Sequence, residues 1–212
     1  MEMALRTEKA IFALVVLCAP MLAQDYAARH LHTAGSCRGT LRVEAAGIVY
    51  LERTAHQHHR WSWAWDDIQQ LDVGDDQRVR LRSYRDGLGG RDERYEFELQ
   101  VTPAVAPLRA ALGARLIEHL VDATGEPLWS VPAKRLRGLK GAQGELCVYA
   151  DRIVFYTPTP GESRTWRDAE IEFVSSAGPL EFSITSGTTT AFQLKQPLET
   201  ARYQALWKRL LR

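Results

Sequence analysis

"GTLRVEAAGIVY", residues 39–50, and "GELCVYADRIVF", residues 144–155, align without a gap at an offset of 105. Gly39 falls on Gly144, Leu41 on Leu146, Val43 on Val148, Ile48 on Ile153, Val49 on Val154 and Tyr50 on Phe155. Each stretch is two alternating apolar runs around a turn, the pattern of an antiparallel hairpin. The likeness extends outward in order. "WDDI" at Trp65 matches "WRDA" at Trp166, which sets Asp67 on Asp168 at an offset of 101. "YEFELQ" (95–100) matches "TAFQLK" (190–195), with Phe97 on Phe192 and Leu99 on Leu194. "PLRAALGARLIEHLV" and "PLETARYQALWKRLL" run together at an offset of 90, pairing Pro107, Leu108, Ala111, Leu116 and Leu120 with Pro197, Leu198, Ala201, Leu206 and Leu210. Length differences fall between the blocks, where loops absorb them. The chain is therefore an internal duplication. Each copy reads as short antiparallel strands followed by one helix that begins at a proline and covers the core with a leucine stripe.

The series "GTLRVEAAGIVYL", "WDDIQQL" and "YEFEL", with its second-copy counterpart and the two closing helices, resembles the pleckstrin-homology-like split barrel and its GRAM-type relatives. It is also similar in pattern to exported bacterial proteins built from this module. The resemblance implies a mainly β (α+β) chain of two tandem PH-like barrels, each of about six or seven antiparallel strands closed by a C-terminal helix. The expected division is repeat 1 at 24–122, a linker "ATGEPLWSVPAK" at 123–134 and repeat 2 at 135–212. One continuous two-sheet domain is the alternative. The resemblance names no ligand, although an open sheet edge or the groove beside the helix of this fold takes peptides by strand addition.

Residues 1–23 have the layout of a secretory signal peptide, with Arg6 and Lys9 before an apolar run and cleavage expected after Ala23 or Gln24. Cys18 as a lipoprotein acceptor is the weaker reading, because Leu17 stands before it where a small residue belongs. Export to the periplasm or the medium is thus expected. It permits a disulfide between Cys37 and Cys147, two buried free thiols being the simpler alternative. Lys+Arg 27 against Asp+Glu 26 leaves no global field to attract nucleic acid, and membrane contact is not expected after leader removal.

Trp65, Asp67, Trp166 and Asp168, shared by both copies, are read as structural, with Trp61 and Trp63 on the face of Trp65. The histidines belong to copy one alone. His30 and His32 in "RHLH", and His56 and His58 in "HQHH", form two His-x-His pairs suited to zinc, copper or nickel. No other cofactor is expected. Arg78, Arg80 and Arg82 share one strand face, expected to be solvated and neutralised by Asp75, Asp76, Asp86, Asp92 and Glu93, and "KRLRGLK" (134–140) reads as an exposed basic loop. No nucleophile elbow, zinc-protease motif, phosphate loop or Cys-x-x-Cys occurs, so an enzyme is not expected. A thiolate pair of Cys37 with a histidine is the one hydrolase-like alternative. The expectation is an exported, non-enzymatic binding or scaffolding protein with a protein or peptide partner, the alternative being a transition-metal-binding protein that uses the copy-one histidines.

Overall fold

The computed structural model describes residues 23–32, 35–53, 60–87, 90–112, 120–138 and 140–211. The expected leader with Cys18, the pair His56 and His58, and Leu116 lie outside them. The first copy contains β1 (Gln24–His32), β2 (Gly35–Glu44), β3 (Gly47–Glu52), β4 (Arg60–Ala64), β5 (Ile68–Gly74), β6 (Arg78–Asp86), β7 (Asp92–Leu99) and helix α1 (Val105–Leu112). A short strand β8 (Leu120–Ala123) follows. The second copy contains β9 (Trp129–Arg137), β10 (Lys140–Val148), β11 (Arg152–Tyr156), β12 (Arg164–Arg167), β13 (Phe173–Gly178), β14 (Glu181–Ser186), β15 (Thr188–Leu194) and α2 (Thr200–Leu210). The sheets run β4-β3-β2-β1-β7-β6-β5-β8 and β12-β11-β10-β9-β15-β14-β13. Apart from β8, the two orders are the same, so the duplication extends to topology and each copy is an antiparallel β unit followed by its helix.

Period-two alternation sorts the side chains. In β6, Val79 and Leu81 are buried while Arg78, Arg80 and Arg82 face the other way. The first core gathers Leu41, Tyr50, Trp63, Leu81 and Phe97, and the second Leu146, Phe155, Trp166, Ile184 and Phe192. Each such side chain contributes about 1.5–3 kcal/mol of burial. A smaller cluster of Val121, Ala123, Cys147, Tyr149 and Val154 joins the copies. Both cysteines among the described residues are free, Cys37 half-buried and Cys147 buried.

Three expectations change. The span 123–134 is only partly a linker: Ala123 ends β8, and Trp129–Lys134 belong to β9, which buries Val131 and Ala133. "KRLRGLK" is accordingly the end of β9, its turn and the start of β10, not a loop ahead of the copy. The prolines do not open the helices: α1 starts two residues before Pro107 and α2 three after Pro197. Leu120, aligned with helical Leu210, instead pairs with Leu71 in parallel, because β8 fills the exposed edge of β5 and buries Leu120, Val121, Asp122 and Ala123.

Candidate functional site

β1 carries the site. Ala28, His30 and His32 share its inner face, and the chain passes from core to solvent along them: Ala28 and His30 are buried, His32 is exposed. Register sets Cys37 of β2 opposite His30 on one side and Phe97 of β7 on the other. The Cys37 Sγ lies 3.7 Å from His30 Nδ1 and 3.6 Å from the Tyr50 hydroxyl. One ligand atom each from His30, His32 and Cys37 lie within 4.8 Å of one another. Tyr50 donates to the Cys37 carbonyl at 2.9 Å. Aromatic rings surround His30, with Trp61 and Phe97 centroids at 5.2 Å, Tyr95 at 5.7 Å and Tyr50 at 5.8 Å.

This packing sets the electrostatics. Burial, then the neighbouring His32, lowers the His30 pKa, with Glu52 opposing them. Burial raises Tyr50, reinforced by its hydrogen bond with Cys37. Tyr95 is pushed up to about 12 by burial and by donating to Glu93 at 2.9 Å. Burial thus disfavours charge on His30, Tyr50 and Tyr95, and a neutral imidazole is a metal ligand or a hydrogen-bond partner.

The second copy occupies the same backbone differently. Ala28 faces Gly39 and Leu99, as Ala133 faces Gly144 and Leu194, so His30 corresponds to Arg135, His32 to Arg137 and Cys37 to Ala142. Tyr50 corresponds to Phe155, each opposite a core leucine. There Glu162 closes the rim, taking Arg135 Nη1 on its carbonyl at 3.0 Å and Arg137 Nη1 on its carboxylate at 3.1 Å.

Of the four histidines expected as metal ligands, the structure brings together His30 and His32. The third ligand-type side chain beside them is Cys37, which the sequence linked to a histidine only as a nucleophile. No signal in the linear sequence marks it; the pairing of His30 with Cys37 across β1 and β2 brings it in.

The shared tryptophan–aspartate motif aligns differently in space. Ile48 pairs with Trp63 and Ile153 with Trp166, so the counterpart of Trp166 is Trp63, and both are fully buried. Asp168 takes the place of Trp65, and Glu170 that of Asp67. Asp67 and Glu170 accept from the Ala64 and Arg167 amides at 3.3 and 3.1 Å, capping equivalent 3-10 turns. Trp65 is buried and donates to the Ala45 carbonyl at 2.9 Å. Asp168 pairs with Arg209 at 2.9 Å, and its pKa is raised by burial against that charge.

The arginine face is solvated at Arg78, as expected, but at Arg80 it is a contact between the copies. Arg80 donates to the Tyr156 hydroxyl at 2.7 Å and pairs with Asp76 and Glu96, while Arg82 pairs with Asp92. A cleft of about 500 Å³ lies here, lined by Leu31, Asp72, Arg80, Glu96, Pro158 and Pro160.

No family model matches the chain, and no curated protein matches it significantly. Among solved structures, the chain is similar to the C-terminal domain of an unknown protein from Leishmania infantum at 17% identity and a TM-score of 0.34, over 41% of this chain and 85% of that one. It is also similar to a structure of the Spt16D Pob3N heterodimer at 12% identity and a TM-score of 0.31, over 77% of this chain and 82% of that one.

Proposed function

We propose that the chain is an exported, non-enzymatic binding protein in which the rim of the first barrel is the receptor and the second barrel is its brace. It stands with the GRAM-type, exported bacterial relatives of the PH-like module, and works in the periplasm or outside the cell. One observation carries the reading: at four matched positions, copy one holds His30, His32, Cys37 and Tyr50 where copy two holds Arg135, Arg137, Ala142 and Phe155. Copy two satisfies its own rim with Glu162. Copy one keeps imidazole and thiol groups among aromatic rings, the mix of apolar walls and few polar atoms that marks binding sites. A protein or peptide partner would add at this rim or along an outer strand such as β13, which among the described residues pairs with β14 alone.

The test compares the full chain with a His32→Arg/Cys37→Ala/Tyr50→Phe variant, which takes copy-two residues at three of the four positions. Both are heated with zinc chloride, inorganic phosphate, citrate and a panel of extended peptides. At least one of these raises the melting temperature of the wild type and not of the rim variant, while Arg137→Ala in copy two keeps the response. A panel in which nothing distinguishes wild type from the rim variant overturns the reading.

A further inference from the structure

The rim has the composition and spacing of a metal site. His-x-His on one strand face supplies two imidazoles, and hairpin pairing brings a thiol against the first of them. In a tetrahedral zinc site with Zn–S near 2.3 Å and Zn–N near 2.05 Å, nitrogen and sulfur lie about 3.5 Å apart. The His30–Cys37 pair stands at 3.7 Å and meets this directly. The widest separation, at most 4.8 Å, closes by rotation of His32, whose side chain is exposed. Two imidazoles with one thiolate suit borderline and soft ions and not calcium or magnesium.

The surroundings complete the chemistry. The Tyr50 hydroxyl lies 3.6 Å from the sulfur, and on metal binding its single proton can turn from the Cys37 carbonyl to the thiolate as an outer partner. Trp61, Tyr95 and Phe97 wall the inner side against water. Copy two lacks all three donors, so the fold itself does not require them.

We propose that His30, His32 and Cys37 bind one zinc(II) or copper(I) ion through two imidazole nitrogens and one thiolate. The inference rests on the rim being the receptor and names its ligand class. On binding, the Cys37 S–H bond breaks, its proton goes to solvent, and the sulfur lone pair forms the bond to the metal. Both imidazoles bind neutral. The fourth position is left to water or an added ligand, the arrangement of an open site.

The experiment uses the full chain, purified in reductant and stripped with chelator. Zinc chloride is titrated by calorimetry in two buffers of different ionisation enthalpy, and cobalt(II) is followed by absorption. We expect one ion per chain, about one proton released per ion as the thiol ionises, and a thiolate-to-cobalt charge-transfer band. Cys37→Ser, close in size to the native residue, removes the band and weakens zinc binding by more than the ~10–100-fold that loss of an outer-shell partner costs. His32→Ala weakens it comparably, and His56→Ala/His58→Ala leaves both signals in place. Absence of stoichiometric zinc binding, a cobalt band that survives Cys37→Ser, or loss confined to the His56/His58 variant overturns the metal site. Where zinc fails but another panel compound still discriminates the rim variant, the receptor reading stands and the metal inference falls.

Discussion

Replacing Arg152 by alanine tests whether the second copy braces the first. Arg152 opens β11 and reaches out of its own copy. Its Nε donates to the Asp122 carbonyl at 3.0 Å, and its Nη2 donates to the Thr124 carbonyl at 2.6 Å and to Asp122 Oδ1 at 3.3 Å. The guanidinium also stacks 4.1 Å from the Tyr149 ring centroid. The side chain is 12% exposed and that of Asp122 7%, so solvent screens little of this. Truncation strips charged donors from two carbonyls and a carboxylate, at about 1.5–3 kcal/mol for each hydrogen bond to a charged group. Loss of the ring contact adds about 0.5–1 kcal/mol. Asp122 keeps Arg109 at 3.0 Å and the Thr124 hydroxyl at 2.7 Å, and water can enter the space vacated. The net loss is therefore about 3–5 kcal/mol, the range for breaking a buried pair from one side. Urea unfolding followed by tryptophan fluorescence and far-ultraviolet circular dichroism measures it. Wild type should unfold in one coincident transition, and Arg152→Ala should lose that energy or split into two transitions. A double-mutant cycle with Asp122→Ala should return a coupling above about 1 kcal/mol. A loss below about 1 kcal/mol with a single transition would refute the brace.

Two further outcomes follow from close packing and from burial. An alanine Cβ at Gly39 would stand 2.3 Å from the Leu51 carbonyl oxygen, and at Gly144 2.3 Å from that of Tyr156, so both substitutions should cost about 1–3 kcal/mol in urea, by similar amounts if the copies are equivalent. Burial pushes the Asp72 carboxyl up to about 6 from 3.8, against the hydrogen bond from Gln70 and the charge of Arg80. The native state then holds a proton that the unfolded chain releases between these values, so stability falls as pH rises through that window and the penalty is complete above it. At about 1.4 kcal/mol per pH unit this is about 2–3 kcal/mol. Asp72→Asn should stabilise the protein by that much at pH 8 and by little at pH 4, and an equal effect at both would contradict the assignment.

The hairpin repeat was legible because alternation with period two and turn residues survive divergence. Its register against the tryptophans was not. Trp63 and Trp65 are two residues apart and on one face, so periodicity cannot decide which answers to Trp166; only the pairing of Ile48 with Trp63 and of Ile153 with Trp166 does. β9 was hidden for a related reason. "WSVPAKRLR" alternates buried Val131 and Ala133 correctly, but Pro132 and three basic residues imitate a linker and loop. The site was half visible. His-x-His places two rings on one strand face from sequence alone, whereas Cys37 joins them only through cross-strand pairing, which a linear reading does not supply.

The duplication also provides an internal control on what the rim residues are for. Both copies share strand order and hairpin register, so a requirement of folding at these positions would fall on both. Copy two meets it with Ala142 and Phe155, fully apolar, and with an arginine pair tied to Glu162. A thiol, a phenol and imidazoles are therefore not demanded by the backbone. It follows that the Cys37→Ala/Tyr50→Phe variant, which reproduces the copy-two solution, should fold cooperatively. It forfeits the hydrogen bond from Tyr50 to the Cys37 carbonyl, at about 0.5–1.5 kcal/mol, together with the two long sulfur contacts of Cys37, to Tyr50 and His30, and the small volume of a sulfur. A total loss above about 3 kcal/mol in urea would mean that the thiol and phenol are structural after all. A loss within that bound, together with disappearance of the ligand response, separates the rim's binding role from its packing.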